Sequence, residues 1–401
     1  MPEPLLLAAA LDGAGWHPAA WRAGSARPTE LLTARYWLDL VATAERGLLD
    51  LVTIEDALAL QSSRRWEVDE RVDQVRGRLD AVLIASRVAP VTSHIGLVPT
   101  TVVTHTEPFH LASAISTLDH VSDGRAGWRP RVSALPAEAA LVNVRPVPRH
   151  DKSTPAAERQ AVTDDLFEEA ADVVEVVRRL WDSWEDDAIV RDVATGRFVD
   201  REKLHYVDFA GRHFTVKGPS IVPRPPQGQP VVAALAHAEV PWRFAAGSCD
   251  VVFVTPVDQD GAATLVRNIR EAEAHAGRTG PPLCVVADLI VFLAPTSAAA
   301  AVAKARLDEL DGAPLLSDAA VFTGTPVELA DLLEAWQARG VQGFRLRPGV
   351  VTDDLPAIVD AVVPELQARG VFRRSYEPGS LRHRLGLSRP DSRYAAGRTG
   401  P

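Results

Sequence analysis

Two cysteines in 401 residues, Cys249 and Cys284, are too few for a disulfide framework, and neither stands at a metal-ligand spacing from a histidine. That scarcity argues against a small stapled fold and for the reducing cytoplasm. Long basic runs are missing too, and the formal net charge is −10, which argues against nucleic acid or an anionic membrane as a partner. The apolar run inside MPEPLLLAAALDG is too short to span a bilayer and has no Lys or Arg before it. It reads as a buried strand over residues 5–10. Glycine-rich phosphate loops of the P-loop or Rossmann kind are absent. His17, His94, His105, His110 and His120 show no HxxxH or carboxylate spacing, so no metal site is expected, and no Ser-His-Asp arrangement can be assembled from spacing alone.

What is present is a chain with 46% hydrophobic residues, enough to bury a large core. Apolar runs of strand length alternate with helical periods, the pattern of βα units on a parallel sheet. Strands are expected at residues 5–11, 49–54, 94–101, 125–133, 231–235, 251–255, 283–293 and 343–347. Between them lie helices with Ala34, Trp37, Leu38, Val41 and Ala44 on one face after a Thr29 cap, and with Leu111, Ile115 and Leu118 on another behind Pro108. Phe167, Ala170, Ala171, Val174, Val177, Trp181 and Trp184 mark a third, and Thr325-Pro326-Val327-Glu328 is a capping box for a fourth. About eight such pairs make an α/β fold of the (β/α)8 TIM-barrel type, with insertions after strand 4 and before strand 5. Residues 1–385 are expected to form one domain with excursions at 134–163 and 185–229, and residues 386–401 a flexible tail.

The segment LDHVSDGRAGWRPRVS (118–133) resembles the LDxxSxGRxGWNxVTS signature of the bacterial luciferase-like flavin-dependent monooxygenases, in the branch of the nitrilotriacetate, alkane and alkanesulfonate oxygenases. The likeness continues in order through HPAAWR (17–22), AERGLLDLVTIED (44–56), IGLVPTT (95–101), LWDSWEDDA (180–188), KGPSIVPRPPQGQPV (217–231) and VVPELQARGVFRRSYEPGSLRHRLGL (362–387).

In a barrel of this kind, chemistry belongs at the C-terminal ends of the strands. Asp56, Thr100, Arg129, Ser133 and His237 fall there and are the candidate cofactor-binding residues; no residue is assigned a catalytic role. Read without the resemblance, Asp56 is equally a helix cap, Thr100 a residue satisfying a loop backbone, and Arg129 a carboxylate-paired arginine. By resemblance, Asp56 and Thr100 lie near the flavin, and Ser133 matches the end of the signature. Arg129 replaces the signature's Asn with a fork of donors that cannot accept a hydrogen bond, suited to a phosphate or carboxylate.

Two other stretches depart from the family. Its AGSSxxG-type turn, which seats the flavin phosphate at a helix N-terminus, is replaced by Leu235, Ala236, His237, Ala238 and Pro241. Its Arg-Tyr is replaced by Leu166-Phe167, with Asp164 and Asp165 before them as an acidic bias at a helix start.

The resemblance implies a flavin-dependent monooxygenase that takes reduced FMN from a separate flavin reductase and uses O2 on a small organic substrate, as a homodimer or as a heterodimer with a sibling chain. The changed positions leave two alternatives: a partner subunit without catalysis, or a barrel that binds a deazaflavin hydride carrier.

Overall fold

The computed structural model describes residues 5–64, 69–142, 146–148 and 153–395. Nine parallel strands run in chain order: β1 (Leu6–Leu11), β2 (Leu51–Ile54), β3 (Gly96–Val102), β4 (Gly127–Arg131), β5 (Val231–Leu235), β6 (Val251–Val254), β7 (Cys284–Leu293), β8 (Ala320–Gly324) and β9 (Gly343–Pro348). All but β8 close into the expected eight-stranded barrel, because β6 pairs with β7 and β9 returns to β1. β7 is long because it has successive partners on one edge: residues 284–287 pair with β6 and residues 289–293 with β8. β8 is not among the expected strands: its apolar run, Ala319 to Phe322, is short and most of its side chains are half-buried.

Strand alternation sorts each strand's side chains between two cores. On β1, Leu7, Ala9 and Leu11 pack outward against helices α1 (Ala34–Arg46) and α2 (Ala81–Val88), while Leu6 and Ala8 face the barrel interior with Leu51, Val98, Val231 and Phe253. Helix α1 is capped by Thr33, whose side chain accepts from Tyr36 N. Thr29 does not cap it, because residues Pro28–Glu30 form a separate 3-10 turn. Helix α3 (Pro108–Val121) opens on proline as expected. Among the later helices, the Thr325 box closes reciprocally with Glu328 at the start of the helix Pro326–Gln337.

After β4 comes a short helix, α4 (Pro136–Val142), and then α5 (Ala156–Asp182). The excursion expected over 134–163 thus overlaps a helix at both ends, and residues 143–145 and 149–152 within it lie outside the described residues. Residues 156–160 are exposed and show no apolar period, which is why the sequence reading placed the helix start near Phe167. Asp164 and Asp165 are consequently inside α5 and not at its first turn; Asp164 pairs with Arg243 and Asp165 with Arg212. Trp128 and Trp181 meet edge to face at 6.2 Å in the core between barrel and helices.

The N-terminal mouth of the barrel is sealed by the chain's own end. Leu381, at the start of a short helix (Leu381–Arg384), is fully buried among Leu6, Leu51 and Val231. It fits because β3 and β4 present glycines there: a Cβ on Gly96 would lie 2.6 Å from Leu381 Cδ1. Beyond it, Arg389 pairs with Asp186 and Tyr394 stacks on His205 at 4.1 Å; residues 396–401 of the expected tail lie outside the described residues. Leu381→Ala removes the plug from a site whose walls are strands and cannot collapse. The expected loss is about 3 kcal/mol of unfolding free energy, within the usual 2–5 for a buried Leu→Ala, read from urea denaturation.

Candidate active site

The strand β9, GFRLRP, places charge inside the barrel by alternation alone. Phe344 and Leu346 pack outward with the helices, so Arg345 and Arg347 point inward, and both guanidinium groups are buried. Asp288 sits beside Arg345 in register on β7, within an otherwise apolar strand. Arg345 Nε donates to Asp288 Oδ1 at 2.8 Å, and Arg347 donates to the same carboxylate and, at 2.7 Å, to Asp318 Oδ1 in the loop before β8.

In the other direction Arg345 Nη1 donates to Thr53 Oγ1 at 3.2 Å and to Glu55 Oε1 at 3.1 Å. Both lie on or just past β2, beyond the intervening β1. That reach depends on the β1 sequence LLAAAL: Ala8 is the residue paired with Arg345, and its single methyl leaves the space the long side chain crosses. Glu55 also accepts from Arg129, whose Nε donates to Thr100 Oγ1 at 2.9 Å. The result is a chain of alternating charges, Arg129, Glu55, Arg345, Asp288, Arg347, Asp318, across the C-terminal mouth. Arg345 stacks on Phe253 at 4.1 Å and Arg347 on Trp16 at 4.4 Å.

Ionisation follows from this arrangement. Burial works to raise Glu55 and Asp288, but the neighbouring arginines outweigh it and hold both below the usual carboxylate range. Burial opposes ionisation of Asp318 as well, yet Arg347 brings it to about 2. Burial pulls Arg129 down to about 10 against Glu55, which leaves it charged at neutral pH. His237 is lowered from the usual histidine value by burial, with Asp318 opposing, which disfavours the protonated form that could pair with a phosphate.

Above this network a cavity of about 340 Å³ opens at the rim. Trp16, Phe167 and Phe244 form its aromatic walls, and Arg129, Arg347 and His237 are among its polar ones. Of the five candidate residues, the structure brings Arg129 and His237 to this cavity. Thr100 is buried behind Arg129; Ser133 is buried with its hydroxyl on Leu135 N; and Asp56 accepts from Ala57 N and Ala81 N, where it supports the start of α2. None of those three lines the cavity. Arg129 is paired with a carboxylate, so it is not free to seat a phosphate.

Glu55, Asp288, Asp318, Arg345 and Arg347 were not singled out from the sequence. A signal existed: charges at alternate positions of a barrel strand, and one aspartate inside an apolar run of ten residues, belong to the interior. The helix that follows β5, α6 (Glu239–Ser248), does begin at the rim. Its N-cap Ala238 makes no side-chain cap bond, Glu239 puts a negative charge in the first turn, and Pro241 has no N–H.

A family model described as luciferase-like monooxygenase matches residues 16–343. The N-acetyl-S-(2-succino)cysteine monooxygenase of Bacillus subtilis (strain 168) is 31% identical over 96% of this chain and 97% of its own length. Nitrilotriacetate monooxygenase component A of Aminobacter aminovorans is 30% identical over 95% and 96%. Among solved structures, a long-chain alkane monooxygenase superposes with a TM-score of 0.86 at 24% identity, covering 99% of this chain and all of its own, a likeness of fold.

Asp288→Asn leaves two buried guanidinium groups short of a carboxylate, and the expected cost is about 3–5 kcal/mol in urea denaturation. The pH dependence has a definite sign. Folded pKa values that are depressed give stability that is complete above about pH 4, the unfolded carboxylate value, and that is lost as pH falls through the folded values. Acid denaturation of Asp288→Asn is therefore expected to be shallower than that of the wild type.

Proposed function

The chain belongs to the luciferase-like monooxygenase family, and from that premise we propose that it is the oxygenase component of a two-component flavin system, accepting reduced FMN from a separate reductase. When bound, the reduced flavin supplies the electrons with which O2 is activated, and the substrate is a small organic molecule. The observation that carries this reading is the rim cavity: aromatic walls beside fixed cations, at the C-terminal end of a closed barrel.

The cavity suits the ring end of a flavin. Trp16, Phe167 and Phe244 offer flat apolar surface that excludes water, and Phe167 and Phe244 brace each other edge to face at 5.7 Å. Arg347, held by Asp288 and Asp318, and Arg129, held by Glu55, cannot swing away, so their donors are preorganised for the electron-rich pyrimidine edge of a reduced flavin. The start of α6 does not suit the phosphate end: it has no hydroxyl, one N–H fewer and an acid in the first turn. We therefore assign ring binding to the rim and no phosphate contact to that turn. FMN is preferred over a deazaflavin because a carrier with carbon at the reactive position transfers hydride and does not activate O2. A cytoplasmic dimer, of two copies or with a sibling chain, is part of the same proposal; no described helix is long and apolar enough to cross a membrane.

An anaerobic titration with reduced FMN, followed by tryptophan fluorescence, tests the reading. Saturable quenching is expected because Trp16 is a cavity wall. No saturable signal from a protein shown by circular dichroism to be folded overturns it. The same titration with reduced riboflavin is expected to give a Kd within about tenfold of that for FMN, or about 1.4 kcal/mol. A preference of a hundredfold or more for FMN would place a phosphate seat elsewhere on the rim.

A further inference from the structure

Beside the rim lies a second cavity of about 240 Å³ that shares Glu55 as a wall with the first. Its surfaces are largely apolar: Trp21, Leu31, Trp37 and Leu79 line it, and both indole donors are already used, Trp21 Nε1 on Asp73 O and Trp37 Nε1 on Leu31 O. Its outer edge is also apolar, since Leu32 is 63% and Val72 92% exposed. Into this setting the chain places Arg78.

Every other charged group bounding the rim and this cavity as a cation is engaged. Arg129 and Arg345 bond Glu55, Arg347 bonds Asp288 and Asp318, Arg131 bonds Glu138, and Arg76 bonds Asp69. Among the described residues Arg78 has no hydrogen-bond or ion-pair partner, and its Nε is enclosed without one. A half-buried guanidinium lacking a partner is an unfavourable arrangement that a ligand oxyanion would relieve. Asp12, on the same cavity, acts on Arg78 only through space, and burial raises its pKa, so it is a poor permanent counter-ion.

We propose that this cavity is the substrate pocket and that Arg78 anchors it to a small apolar acid: a hydrocarbon or aromatic body carrying one carboxylate. Calling this ligand a substrate rests on the monooxygenase reading; the binding itself does not. The cavity is smaller than those that take drug-sized ligands, which limits the body to a short chain or a single ring system. The carboxylate takes the fork of Arg78 and the apolar body lies against Trp21 and Trp37, so the charge selects and the indoles supply contact area.

Isothermal titration of the flavin-free protein with octanoate and with its neutral counterpart octanamide tests this at pH 8. The wild type is expected to bind octanoate at least tenfold more tightly than octanamide. Arg78→Gln, which breaks no hydrogen bond or ion pair among the described residues, is expected to bind the two equally, and Arg78→Lys to restore part of the preference. Equal binding of both probes by the wild type, binding of neither, or an undiminished preference in Arg78→Gln overturns the proposal. Because no flavin is present, a protein that fails the FMN titration and passes this one keeps the acid pocket and loses the monooxygenase reading. The reverse result keeps the family activity and removes Arg78 from substrate recognition.

Discussion

The run of three buried guanidinium groups and three carboxylates across the barrel mouth, open to solvent only at Asp318, is the constraint from which the rest follows. Taking most of these charges out of water is costly, and the arrangement holds only because each charge meets an opposite one at hydrogen-bonding distance and the aromatic faces of Phe253 and Trp16 cover the guanidinium groups of Arg345 and Arg347. Such a network tolerates little displacement. Register between β7 and β9 sets Asp288 beside Arg345, and the small side chain of Ala8 on β1 lets Arg345 reach β2. A larger residue at Ala8 would obstruct that crossing and leave Glu55 with one arginine in place of two.

This interior divides the barrel into two ends of opposite character. The N-terminal half is apolar and closed by Leu381, whose seat exists because glycine occupies position 96. The C-terminal half is ionic and leaves a cavity above it. Polarity along the barrel axis is thus built from which inward positions carry alkyl groups and which carry charge, and it gives a ligand one way to approach. The rim charges are mutually neutralised, so what they offer a ligand is fixed donors and local dipoles more than net charge.

Against that balanced background, the two departures carry the functional argument. The turn into α6 has lost the groups that would hold a phosphate, which shifts the work of cofactor binding to the ring and its aromatic walls. Arg78 is the opposite case, a cation near the rim with no hydrogen-bond or ion-pair partner among the described residues. Both point to recognition by the cavity walls and away from the helix terminus.

The sequence by itself determined the architecture. Strand-length apolar runs, Pro108 and the Thr325 box mark elements through local periodicity and capping, and those are properties of neighbours in the chain. It determined the family as well, since the resemblance runs through nearly every segment. It left β8 and the first turns of α5 unmarked, because the apolar run of β8 is only four residues long and the exposed start of α5 carries no apolar period. Only the tertiary structure decided the site. Glu55 lies more than two hundred residues before Asp288 and Arg345, which are themselves 57 apart, and the three meet through strand order and register, so no spacing rule could join them. The same closure turned Asp56 toward a helix start, tied Arg129 to a carboxylate and left Arg78 without a bonded partner among the described residues, because which partner a charged side chain finds depends on what the barrel brings beside it.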